Sequence, residues 1–177
     1  MRLKSQILNN SPYLLFSLLW LYGCGLFTFS GVSLSPDVKT FSIQEFYTEI
    51  SDGPIDMPKK LTEMLEAKIL RMTPLTRQEK DADIQYEGVI KSFSYRTVFS
   101  TKDNDHDSPK EIQRLTITIE VSFLNPSDAT SSFKKKQFSA SADMTSNENQ
   151  DEKEHELIKE IFRQLVDDIF NKSIDIW

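Results

Sequence analysis

Much of what this 177-residue chain does is bounded by what it has little of. It has one cysteine, Cys24. No intramolecular disulfide can form, and the paired cysteine spacing of a zinc or iron–sulfur site is missing. It has two histidines, His106 and His155, and no G-x-S-x-G, P-loop or H-E-x-x-H motif, so the usual nucleophilic, phosphate-cradling and metalloprotease arrangements are not written in it. Basic residues are outnumbered, 21 Lys and Arg against 27 Asp and Glu, for a formal charge of -6. That excludes a general affinity for nucleic acid, which needs dense cationic surface to displace counterions from phosphates. Long apolar runs are missing too. The longest block, Tyr13 to Leu21, is about half the roughly twenty residues that cross a hydrocarbon core. With 38% hydrophobic residues, 11% of the chain aromatic, there is nonetheless enough to build a single core.

What is present begins at the N-terminus. Arg2 and Lys4 precede a polar stretch to Pro12, then the apolar block, then Gly23 and Cys24. That is the tripartite plan of a secretory signal peptide. Leu21-Tyr22-Gly23-Cys24 resembles the lipobox of bacterial lipoproteins, in which a small residue precedes a cysteine that is acylated and becomes the new N-terminus. The expectation is a removed leader over 1–23, an acylated Cys24, a tether over 24–36 and one domain over 37–177. Several acyl chains on one residue make a stable anchor where a single chain binds only marginally. Without its leader the chain keeps 19 basic and 27 acidic side chains. Gly25 follows the cysteine where an inner-membrane retention signal would place Asp, and no acidic residue occurs before Asp37. Both features favour the outer membrane with the domain facing the periplasm.

The remainder reads as α+β. Val38 to Tyr47 alternates as a strand, with Phe41 and Ile43 against Thr40 and Ser42. After the turn residues Ser51 to Pro54, Asp56 is placed to cap a helix with Pro58 in its first turn. Leu61, Met64, Leu65, Lys68, Ile69 and Met72 recur at helical spacing until Thr73-Pro74 ends it. Ile84 to Phe99 is a long strand whose apolar parity slips between Ile90 and Phe93, which predicts a bulge, placed near Gly88. Leu115 to Phe123 alternates cleanly, one face apolar and the other Thr, Glu and Ser. Phe133 to Ala142 is a weaker strand carrying Lys134, Lys135 and Lys136, of the kind that guard a sheet edge. Leu157 to Phe170 is a strongly periodic helix preceded by acidic residues that complement its dipole. The order β-α-β-β-β-α predicts two helices packed on one face of a four-stranded mixed sheet.

Candidate sites are few. Asp103, Asp105 and Asp107 around His106 have the spacing of a calcium loop, but Ser108 stands at its glycine position and Arg114 at its closing glutamate, so a solvated hairpin loop is expected. His155 lies among acids at a helix start, without partners spaced for a metal. No cofactor is expected. Lys91, Arg96, Lys102, Arg114, Lys134, Lys135 and Lys136 fall on or beside neighbouring strands. They suit either phosphate-bearing glycolipid such as lipopolysaccharide or ordinary solvated sheet surface.

The lipobox, the segment CGLFTFSGVSLSPDVKTFSIQEF, the strand RLTITIEVSF and the ending QLVDDIFNKSIDIW together resemble the LptE family of lipopolysaccharide-assembly lipoproteins, in its Bacteroidetes form. The resemblance implies the fold of two helices on a four-stranded sheet, a place as plug inside the LptD β-barrel of the outer membrane, and a part in delivering lipopolysaccharide to the outer leaflet without hydrolase or transferase activity. Of family residues it carries over only the acylated Cys24. Leu26, Phe27 and Phe29 would pack either on a barrel wall or on the domain's own core. Two other expectations compete: an outer-membrane lipoprotein of the same fold that scaffolds another complex, such as a secretin, and a lipid-anchored hydrolase, which would require a nucleophile and base close together.

Overall fold

The computed structural model describes residues 34–99, 111–145 and 149–174. Cys24, the expected leader and the loop holding Lys102, Asp103, Asp105, His106 and Asp107 lie outside the described residues. The elements are β1 (Thr40–Ile43), β2 (Tyr47–Thr48), α1 (Met57–Met72), β3 (Thr76–Arg77), β4 (Ile84–Phe99), β5 (Glu111–Leu124), β6 (Phe133–Thr145) and α2 (Gln150–Ser173). The α+β class, the two helices and the mixed sheet are as the sequence predicts. The sheet has six strands, however, and not four.

Both additional strands come from the first strand lane. The expected strand over 38–47 divides into β1 and β2, each parallel to β4, because the chain leaves the ladder at Phe46. There the backbone N–H donates to Thr62 Oγ1 on α1 at 3.0 Å instead of to a strand. The chain after α1 then turns back onto β1, where Thr76 N–H donates to Lys39 O at 3.0 Å and Gln78 N–H to Phe41 O at 2.8 Å. That pairing makes β3, and the sheet runs β3-β1-β4-β5-β6 with β2 also on β4. Asp83 fastens the entry to this lane, its Oδ2 accepting from Lys39 N–H, Thr40 N–H and Thr40 Oγ1–H, each at 2.9 Å.

Odd spacings locate the sheet's two irregularities. Ile90 and Phe93 both face the helices although they are three apart, so one residue must be extra. The register shift falls between Ile90 and Ser92, making Lys91 that residue and not Gly88. Gly88 has a different task, since a Cβ there would stand 2.8 Å from the Phe46 ring, and its absence lets that ring close over the strand. Phe133 and Phe138, five apart and both packed with core residues, mark the second shift. Val121 pairs with Lys136 and Phe123 with Phe133, so Lys134 and Lys135 together oppose Ser122. Lys135 takes the left-handed conformation, φ 50°, and its N–H donates to Ser122 Oγ at 3.2 Å.

The helices lie on one side of the sheet. Every apolar residue of α2 from Leu157 to Phe170 is buried, together with Met57, Leu61, Leu65 and Ile69 of α1 and Leu115, Ile117, Ile119, Val121 and Phe123 of β5. Each such side chain removed from water contributes about 1.5–3 kcal/mol before conformational entropy is set against it. Asp56 stands at the cap position of α1, but makes no capping bond; its carboxylate pairs with Lys60 Nζ at 2.7 Å. The C-terminus of α2 is held by a buried contact, Tyr86 Oη to Ser173 Oγ at 2.8 Å. Ser173 passes its own proton to Ile169 O at 2.7 Å, so Tyr86 is the donor. Burial pushes the Tyr86 phenol far above its ordinary range. Among the described residues no helix is long and apolar enough to cross a membrane.

Candidate binding face of the sheet

Alternation along β4, β5 and β6 sends apolar side chains toward the helices and a second set to the opposite face. At the centre of that face the second set is small and hydroxylated: Ser92 and Ser94 on β4, Thr116 and Thr118 on β5, Ser139 and Ser141 on β6, cross-strand neighbours in the ladder. Thr116 and Ser141 hydrogen-bond at 2.8 Å, Thr118 and Ser139 at 3.0 Å. Long charged side chains stand only at the two ends.

One end carries Arg96 directly opposite Arg114. Arg114 is neutralised by a bidentate pair with Asp143, Nε to Oδ1 at 2.6 Å and Nη2 to Oδ2 at 2.7 Å. That guanidinium holds the Asp143 carboxyl below the usual range. Arg96 is exposed and has no carboxylate partner among the described residues.

The other end is hollowed. The β6 bulge curls one flank, the break between β1 and β2 opens the other, and between them lies a cleft of about 810 Å³. Its lining is mixed: the half-exposed Leu124 and the half-buried Phe133 meet Gln44, Gln85, Ser122 and the carboxylates of Glu79 and Glu87, Lys134 and Lys135 stand at its rim, and Tyr86 and Phe123 beneath it are almost wholly buried toward the helices. A smaller hollow of about 90 Å³ adjoins it, sharing Gln44, Glu87, Ser122 and Lys135. Glu45, Glu87 and Glu120 line that hollow with Tyr47. A third groove, about 520 Å³, runs between the helices over Met64, Ala67, Ile158 and Phe162, with His155 at its rim.

The basic candidates are thus not one patch. Arg96 and Arg114 share one end of the face, while Lys134 and Lys135 share the other. Lys91, thrown out by its bulge, is paired with Glu49, which raises its pKa, and Lys136 lies with its Nζ 6.0 Å from the Phe138 ring centroid. The cleft and its acidic neighbour were missed in the sequence. The odd spacing from Phe133 to Phe138 signalled a bulge there, but not that the first lane would break at the same level. Among the described residues no three His, Cys, Asp or Glu side chains are grouped to hold a metal, and no buried side-chain nitrogen or oxygen lacks a hydrogen-bond partner.

Two helices on one face of a mixed sheet, with a face of small hydroxylated and charged side chains left open on the other, define an α+β domain. The chain belongs to the LptE family, described as lipopolysaccharide-assembly, whose model matches residues 38–173. Solved structures similar to it include a minor lipoprotein from Acinetobacter baumannii, 14% identical, covering 76% of this chain and 91% of that one with a TM-score of 0.39. A rare lipoprotein B from Shewanella oneidensis is 10% identical, with 76% and 90% covered and a TM-score of 0.36. A hypothetical protein from Chlamydia trachomatis is 8% identical, with 76% and 97% covered and a TM-score of 0.48. No curated protein matches the chain.

Proposed function

We propose that this protein is a non-enzymatic subunit of the outer-membrane machinery that inserts lipopolysaccharide, held in the membrane by acylated Cys24, facing the periplasm and seated in an LptD-type β-barrel. The observation that carries the reading is the family match over residues 38–173. The open sheet face supports it, because porin-type lumens are polar and a small, hydroxylated face can approach a strand wall closely without losing much side-chain freedom. Of the basic candidates, Arg96, Lys134 and Lys135 are available to lipopolysaccharide phosphates. Arg114 and Lys91 already hold carboxylates, and Lys136 lies outside the cleft.

The test is a mild-detergent pull-down of the tagged, acylated protein from outer membranes, with mass spectrometry of any stoichiometric partner. An LptD-type barrel is the expected partner. Recovery with a secretin, or of the protein alone, overturns the barrel assignment. Metabolic labelling with palmitate is expected to mark the parent and not a Cys24→Ala variant, and a parent that takes up no label would overturn the acyl anchor.

A further inference from the structure

The two sides of the sheet are protected unequally. One ends in β2 and β3, two residues each, and strands that short offer little to pair with. The other ends in β6, thirteen residues, whose register to β5 runs unbroken from Lys136 opposite Val121 to Thr145 opposite Ile112. Which of its backbone groups are free follows from alternation. Gln44 N–H donates to Tyr86 O and Glu49 N–H to Ile90 O, so in this part of β4 the even-numbered residues face the first lane and the odd-numbered ones face β5. Glu87 and Val89 therefore exchange bonds with Ser122 and Glu120, which leaves the odd-numbered residues of β5 facing β6. Their partners on β6 include Phe138, Ala140 and Ala142. The N–H and C=O groups of Gln137, Ser139, Ser141 and Asp143 then point out of the sheet, and no backbone group among the described residues meets them. One side chain does. Gln164 of α2 reaches over the edge and donates from Nε2 to Ser141 O at 3.5 Å, where the N–H of a further strand would donate.

Lysines guard only the start of this edge. Lys134, Lys135 and Lys136 stand at the bulge, whereas residues 137–142 carry no charge and Asp143 is neutralised by Arg114. Helical spacing sets Glu160 and Asp168, one turn either side of Gln164, along the same border, both exposed and without an ion-pair partner among the described residues. We propose that β6 is a strand-addition site for an extended segment of another protein that carries Lys or Arg at alternate positions. Its backbone pairs with residues 137–143, its basic side chains lie on the helix side beside Glu160 and Asp168, and its other side chains continue the hydroxylated face. A second copy of this chain fits poorly, because two-fold pairing of β6 strands about Ser141 sets Glu160 of each helix against Asp168 of the other. A strand of a closed barrel wall has both edges already paired, so the site takes a loop, tail or linker and does not rest on the barrel assignment.

The test adds short fluorescein-labelled peptides of alternating Lys and Thr, or of alternating Glu and Thr, to the full-length acylated protein in non-ionic detergent, and reads anisotropy and amide exchange. The Lys–Thr peptide is expected to bind. At about ten times its Kd it should slow exchange at Ser139, Ser141 and Asp143 by about tenfold, while Ala140 and Ala142, already in the ladder, stay as they were. The Glu–Thr peptide should bind about tenfold more weakly, and Glu160→Gln combined with Asp168→Asn should remove most of that difference. Ser141→Pro deletes an outward N–H that no ladder bond uses, so cooperative unfolding is retained and the Lys–Thr peptide no longer binds. A readout that needs no variant comes from the peptide itself. N-methylation of one alternate set of amides, the lysines or the threonines, should abolish binding to the parent, and methylation of the other set should spare it. No binding, equal affinity for the two peptides, equal effects of the two methylated sets, or binding that survives Ser141→Pro overturns the proposal. Exchange at Ser139 and Ser141 that is already slow without peptide, and slower at higher protein concentration, overturns it in favour of self-pairing.

Discussion

Gly88 and Asp83 each govern a contact that no neighbouring residue can replace. Adding a methyl at Gly88 would place it 2.8 Å from two atoms of the Phe46 ring, which is itself 2% exposed and cannot swing into solvent without opening the core. Gly88→Ala is therefore expected to cost about 1–3 kcal/mol in urea denaturation, the usual penalty for overpacking. Phe46→Leu in the same chain should recover part of it, because the two changes share one contact. Asp83 makes a prediction about pH. The backbone N–H of Lys39, then the side chain and backbone of Thr40, hold its carboxyl below the ordinary 3.8. A depressed folded pKa means stabilisation that is complete above the unfolded value and lost as pH falls through the folded one. Asp83→Asn should thus be less stable than the parent at neutral pH, and the gap should close as both are acidified below about pH 4. A gap that is constant with pH would contradict this account of the clamp.

At the scale of elements, the sequence was legible wherever a single period ran unbroken. The alternation of β5 and the helical repeats of α1 and α2 reflect one continuous apolar face each, and those elements are where the residues place them. β3 was not legible, because two residues paired to a parallel neighbour carry no periodic signal. The split between β1 and β2 was hidden for a related reason: Phe46 reads as one more apolar strand residue, yet its N–H is taken by a helix hydroxyl far along the chain. The bulge in β4 was foreseen from parity, and its position was misjudged because glycine is a common bulge marker while Lys91 is not. The candidate site was half legible. The lysines were visible, but the carboxylate hollow depends on β2, β4 and β5 meeting, which no local pattern encodes. Between elements, the Tyr86–Ser173 bond joins the sheet to the last turn of α2. Tyr86→Phe is expected to cost about 1 kcal/mol. Ser173→Ala should cost a similar amount, and the two together less than their sum, because they remove one interaction. Strict additivity would show that the hydroxyls act independently.

For the whole molecule, pairing is unequally distributed. β4, β5 and β6 form a long antiparallel meander of adjacent strands, whereas β2 and β3 are two-residue strands with exposed side chains. Local opening free energy follows such differences. Hydrogen exchange read by mass spectrometry should therefore show Ile117 and Ile119 among the slowest amides and Thr48 and Arg77 among the earliest to exchange. Uniform protection would mean that the first lane is locked to the meander more firmly than its few rungs indicate. The position of that lane has a mechanical meaning as well. The chain enters the described fold at Leu34 and reaches the sheet at Lys39 and Thr40, where three hydrogen bonds converge on the Asp83 carboxylate. A domain hanging from its N-terminus passes any pull through this point before it reaches the core. The load then runs along β1, parallel to β4, so the rungs from Phe41 to Ile43 are sheared together and do not unzip one by one. Asp83 is in that sense the first bolt between the fold and whatever holds its leading end.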